Sequence, residues 1–198
     1  MPQLFETLIT FDHAHGMALR AGLAERWERI NAHSLRLFLR KGVASHDGTP
    51  LTAEDVAFSL GPDHLLGPGR SGMSQALQSL DRLEKFEMVD PFTVFVHAKG
   101  GDELLEQRLA AWGSEIVSQR AFVAAGSWEP WTTAPVGSGP YKLVDHKLDI
   151  RVSLAADDSY WAVDHPFDGH RIPHHSQAFR ARERPARQRA DSEKRRSI

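Results

Sequence analysis

The stretch from Leu35 to Leu60 constrains this chain more tightly than any other. Leu35, Leu37 and Leu39 alternate with Ser34, Arg36, Phe38 and Arg40, the period of two that gives a strand one buried apolar face. Phe38 on the opposite face predicts that this face is partly covered as well. Asp47-Gly48-Thr49-Pro50 follows, and glycine's tolerance of positive φ beside proline's fixed φ makes this a turn. Thr52 then presents a hydroxyl to the free N–H groups of a helix start, and Asp55 three positions on can answer it, the pattern of a capping box. The helix buries Val56, Phe58 and Leu60 and stops at Gly61-Pro62.

The remaining pattern completes this strand pair and adds two more pairs and a second helix. Ala24 to Ile30 pairs with the Leu35–Leu39 strand across a turn at Asn31-Ala32-His33. A second hairpin turns at Asp90-Pro91, with Phe86 and Met88 before it and Phe92, Val94 and Val96 after. Asp102 to Trp112 predicts a helix with Leu104, Leu105, Leu109 and Trp112 on one stripe. Leu65 to Ser74 reads as a loop, and an irregular stretch runs from Trp128 to Pro135. Tyr141–Val144 and Ile150–Leu154 form a strand pair.

Composition narrows the class. Apolar residues make up 41% and charged residues 25% of the 198, so the chain can build an ordinary core. No apolar run approaches the roughly 18 residues of a membrane-spanning helix. With no cysteine, disulfides, thiolate metal sites and a cysteine nucleophile are excluded. Charge is unevenly placed: Ser176–Ile198 holds eight Lys/Arg against three Asp/Glu, and the rest holds 16 against 23. We read 1–173 as the folded part. We read 174–198 as a basic tail, disordered or the product of a frameshift, because it lacks the apolar residues that offset ordering entropy. The opening Met1-Pro2-Gln3 shows no secretory signal pattern, which reads as cytoplasmic for the chain as written.

Candidate chemistry is sparse. His46 and Asp47 are adjacent, so on an extended chain they point to opposite faces and form no relay. The eleven histidines offer close groups only at His13-Ala14-His15 and His174-His175, short of a convergent metal set; no metal or cofactor is expected. Leu66–Gly72 lacks the Gly-Lys-Ser/Thr ending of a phosphate loop. Ser138 has glycine as its immediate neighbours, Gly137 and Gly139, and so does not match a nucleophile elbow. The Arg-rich tail has no interleaved aromatics to suggest specific nucleic-acid binding. No nucleophile, base and oxyanion donors assemble, so an enzyme is not expected.

Six blocks in register carry a resemblance. Leu4-Phe5-Glu6-Thr7-Leu8 resembles a "VYETL" segment and Gly22–Glu28 a "GLAESW" segment. Leu37–Val43 resembles an "F-x-LRKGVKF" strand, and His46–Val56 matches "HDGTPLTAEDV" residue for residue. Gly137–Val144 resembles "GTGPYKLV", and Asp158-Ser159-Tyr160-Trp161 resembles "N-x-DYW". Together they resemble the family 5 extracellular solute-binding proteins, the receptors of peptide, dipeptide, oligopeptide and nickel ABC importers. The resemblance implies an α/β fold: part of lobe I of a two-lobe periplasmic binding protein, a mixed sheet with flanking helices. It also implies a chain truncated relative to the family, lacking signal, opening strand and second lobe. A peptide or other small-molecule ligand, a permease partner and a periplasmic or cell-surface location follow by the same resemblance. It places Trp112, Gly113, Ser114, Ser138 and Gly139 toward the ligand cleft, with glycine allowing close backbone approach. For Trp112 packing in the core remains the alternative. A non-transport interaction or regulatory fragment, or a non-functional gene remnant, is the alternative reading of the whole.

Overall fold

A computed structural model describes residues 3–61, 64, 80–147 and 151–162, and the backbone of 177–180. Its centre is a four-stranded sheet. β1 (Glu6–Thr7), β2 (Ile9–Asp12) and β3 (Ala18–Ala21) come first, then β4 (Ala24–Asn31) and β5 (Ser34–Leu39). Helix α1 (Ala53–Ser59) leads on to β6 (Leu83–Asp90) and β7 (Thr93–Ala98), and the sheet order is β4-β5-β7-β6. Leu35, Leu37 and Leu39 of β5 and Val94 and Val96 of β7 are buried on one face of this sheet, as the alternation requires. Val56 and Leu60, Leu8, Ile9 and Leu23 close the same core.

The capping box forms as the sequence predicts. The Thr52 hydroxyl accepts from the Glu54 N–H at 3.3 Å, and the Asp55 carboxylate accepts from the Thr52 N–H at 2.9 Å. The other face of β5 is covered in an unforeseen way. The Arg26 guanidinium lies 3.3 Å from the Phe38 ring centroid, and Arg36 lies 4.8 Å from that of Phe95. Side chains of neighbouring strands therefore shield these rings by cation–π contact, where a second layer would otherwise be needed.

Beyond the sheet, α2 (Leu105–Ala110) buries Leu105 and Leu109. The short β8 (Glu115–Ile116) pairs with β1. Then come α3 (Gln119–Ala125), α4 (Trp128–Thr133), β9 (Tyr141–Lys147) and β10 (Arg151–Ala156). A satellite cluster of Phe58, Val117 and Trp131 gathers Phe5, Phe122, Trp128 and Val136 around it. The α/β class with flanking helices is thus present, and every strand pairing among the described residues is antiparallel. The parallel pairs of a mixed sheet do not occur among them, because hairpins make most of the connections.

Three local expectations change, and one helix appears where none was expected. The helix predicted over Asp102–Trp112 shortens to α2, since the Asp102 carboxylate accepts from the Leu104 N–H at 3.0 Å and starts the helix late. Trp128–Thr133 is helical where the sequence reads as irregular: Pro130 falls in the first turn, where a missing N–H loses no helical bond. α3 buries no residue fully, its Ala121, Phe122 and Ala125 packing only in part against the satellite cluster, while Ser118 caps it and Gly126, at φ 79°, ends it. Within the expected tail, Gln177–Arg180 forms strand β11 against β10. Edge pairing uses backbone groups and so requires no apolar side chain. The loop at Leu65–Ser74, with its phosphate-loop candidate Leu66–Gly72, lies outside the described residues, as do His174-His175.

Candidate functional site

The two loops expected near a cleft are both built onto β1. Residues 112–114 lead into β8, which pairs with β1 through Glu6↔Ile116 and Thr7↔Glu115. Residues 137–139 run antiparallel beside Gln3–Leu4: the Gly139 N–H donates to Leu4 O at 3.0 Å and the Tyr141 N–H to Gln3 O at 2.9 Å.

At the first loop, Trp112 is 57% exposed, which excludes packing in the core. Gly113 takes φ 96°, open to glycine at no steric cost, and its N–H donates to Glu115 Oε2 at 2.7 Å. Ser114 is buried, and both its N–H and its hydroxyl donate to Ala111 O. The hydroxyl thus braces the corner that holds the Trp112 ring in solvent.

At the second loop, close approach is real, but the chain approaches itself. A Cβ on Gly137 would meet Leu4 O at 2.1 Å, and one on Gly139 would meet Gln3 O at 2.6 Å. Ser138 is buried, and its hydroxyl donates to Glu6 Oε2 at 3.2 Å. His46 clamps the same loop: its N–H donates to Gly137 O at 2.8 Å and its Nε2 lies 2.9 Å from Gly139 O. A carbonyl only accepts, so Nε2 carries the proton, leaving Nδ1 to accept from the Gly137 N–H at 3.4 Å. This is the structural role that the turn chemistry of His46–Pro50 suggests.

Sequence reasoning misses the carboxylate at the centre. Glu6 accepts from Tyr160 Oη at 2.7 Å on one oxygen, and from Trp161 Nε1 at 2.9 Å and Ser138 Oγ on the other. The Arg40 guanidinium stacks 4.3 Å from the Trp161 ring centroid, and Arg40 Nε donates to Gly22 O at 2.8 Å. Burial pushes the Glu6 carboxyl up from its ordinary 4.5, against the lowering pull of its three donors and of Arg40. Burial and the Glu6 charge together push the Tyr160 phenol up. The one signal available was an acidic residue inside the apolar run Leu4–Leu8, which needs buried partners.

These groups can hold and orient. Among the described residues, no group of three or more His, Asp or Glu is placed to hold a metal ion. No helix of the described residues is long and apolar enough to cross a membrane.

Residues 18–181 match the family model described as bacterial extracellular solute-binding proteins, family 5 Middle. Heme-binding protein A of Haemophilus influenzae is 28% identical over 186 residues, 84% of this chain and 33% of that protein. The dipeptide-binding protein of Escherichia coli K12 is 30% identical over 165 residues, 74% of this chain and 31% of that one. The structure of NikZ from Campylobacter jejuni in complex with Ni(L-His) superposes with a TM-score of 0.74 at 20% identity. It covers 98% of this chain and 37% of that one, a likeness of fold. The chain spans about a third of the length of the curated relatives it matches.

Proposed function

The chain belongs to the bacterial extracellular solute-binding proteins of family 5, and from that membership we propose that it supplies one wall of the ligand site of an ABC importer's substrate-binding component. Its ligands are peptides or related small solutes, captured without chemical change. Residues 1–173 supply the wall itself, and 174–198 are a tail that takes no part in binding, although β11 within it pairs along β10. The working partner is a permease, and the place of work is the periplasm or cell surface.

The observation that carries this reading is the exposed indole of Trp112, fixed on a braced corner within the family-matched region. A rigid, exposed aromatic surface suits a small amphipathic ligand. Gly113, Ser114, Ser138 and Gly139 serve the site by shaping the two loops, since all four are buried.

Titration calorimetry of the chain with pools of dipeptides and of tripeptides tests this. A saturable heat is expected, weakened about tenfold in Trp112→Ala, as for loss of one aromatic anchor. A folded chain that gives no saturable heat with either pool contradicts it.

A further inference from the structure

The body built on the four-stranded sheet leads into the β9–β10 sheet through Gly137–Tyr141, which lies hydrogen-bonded beside Gln3–Leu4. A single connector with glycine at 137 and 139 is the kind of element that absorbs φ/ψ change and lets two units swing. Here the connector is fastened from both sides. On the body side His46 grips Gly137 and Gly139. On the far side the chain leaving β10 turns back: the Asp157 N–H donates to Pro140 O at 2.9 Å, and Tyr160 and Trp161 reach Glu6 on β1.

We propose that Glu6 is the positioning residue of a lock that makes the body and the β9–β10 sheet move as one rigid unit, so that ligand capture deforms the protein elsewhere. The ligand-capture part of this statement rests on the function proposed above; the lock itself does not.

The geometry supports it in three ways. The donors on Glu6 come from positions 138, 160 and 161, so one side chain ties the connector, the β9–β10 sheet and β1 together. Both carboxylate oxygens are engaged from different directions, which fixes rotation as well as distance; bonds to an ionised acceptor are the stronger and more directional kind. Arg40 stacks on the far face of the tie, against Trp161, while bonded to Gly22 of the body. The cost of keeping Glu6 partly buried argues against a chance contact, since an exposed carboxylate would be cheaper for folding alone.

The chain has no cysteine, so spin labels go where they are placed. Val89 on β6 and Val144 on β9 are exposed. Val89→Cys/Val144→Cys, labelled with nitroxides, is measured by pulsed dipolar spectroscopy without ligand. A narrow distance distribution is expected in this background. Glu6→Ala broadens it, and so does Tyr160→Phe/Trp161→Phe, which keeps Glu6 and covers the case where Glu6→Ala does not fold. Glu6→Gln restores the narrow distribution, because its carbonyl still accepts from Trp161 and its amide donates to the Tyr160 oxygen. A stability change alone would leave the width unmoved. A width unchanged in Glu6→Ala or, failing that, in the Tyr160/Trp161 pair overturns the lock and leaves ligand capture standing. A narrow distribution in a chain that binds no peptide overturns ligand capture and leaves the lock.

Discussion

Replacing Gly137 with alanine tests the crossing at the heart of the structure. The new Cβ would lie 2.1 Å from Leu4 O and 2.5 Å from Phe5 Cδ1, where ordinary contact begins at 3.4 Å. The backbone oxygen cannot rotate away, so the two segments must part by about 1.3 Å. Three bonds depend on their register: His46 N–H to Gly137 O, Gly139 N–H to Leu4 O and Tyr141 N–H to Gln3 O. At about 1 kcal/mol each, their loss amounts to about 3 kcal/mol, the upper end of the usual cost of overpacking. With a urea slope of about 2 kcal/mol/M, the midpoint falls by about 1.5 M. The melting temperature of a chain this size falls by about 6–12 °C. Gly101→Ala is the control: its Cβ meets Ala32 Cβ at 3.7 Å, ordinary contact, so its stability stays within about 1 kcal/mol of the parent. Equal midpoints for the two variants would refute the claim that close passage requires glycine at 137.

Three further outcomes follow from the same contacts. Thr52→Ala removes the cap of α1 and lowers stability by about 1 kcal/mol, read from the urea midpoint. Because the folded Glu6 carboxyl is raised above 4.5, its contribution to stability is fullest below that pH and declines as pH rises through its folded value. The parent-minus-Glu6→Gln difference in urea midpoint should therefore fall from pH 4 to pH 7, and a flat difference contradicts the burial argument. His64 runs the other way: buried among Phe58, Phe122 and Trp128, its ring is held below the ordinary 6.5 by that burial. Stability tied to it is lost as pH drops below 6.5, and His64→Phe removes that part of the acid sensitivity, measured by urea midpoints from pH 7.5 to pH 5.

What the sequence makes legible here is local. Alternation at Leu35–Leu39 and the Thr52/Asp55 pair each act within a few residues, so strand, turn and cap can be read directly. Phe38 shows the limit of that reading: its exposure to one face is visible, but the Arg26 stacking over it depends on strand register. α3 escapes notice because its apolar side, Ala121, Phe122 and Ala125, is short and only partly buried. Glu6 is the clearest gap. Its donors lie 132, 154 and 155 positions away, a separation at which no period or spacing operates. The glycines at 137 and 139 are legible as sites of close approach, while the partner, the chain's own residues 3–4, becomes visible only in the fold.

The proposed function places a ligand-facing surface at Trp112. The most direct measurement follows the five tryptophan indole N–H signals by NMR during titration with the dipeptide pool, with Trp112 assigned through Trp112→Phe. A ligand-facing Trp112 gives a signal that shifts saturably while that of buried Trp131 stays in place. If no indole signal moves, or only those of the satellite cluster do, Trp112 is an exposed side chain without a ligand and the proposed function fails.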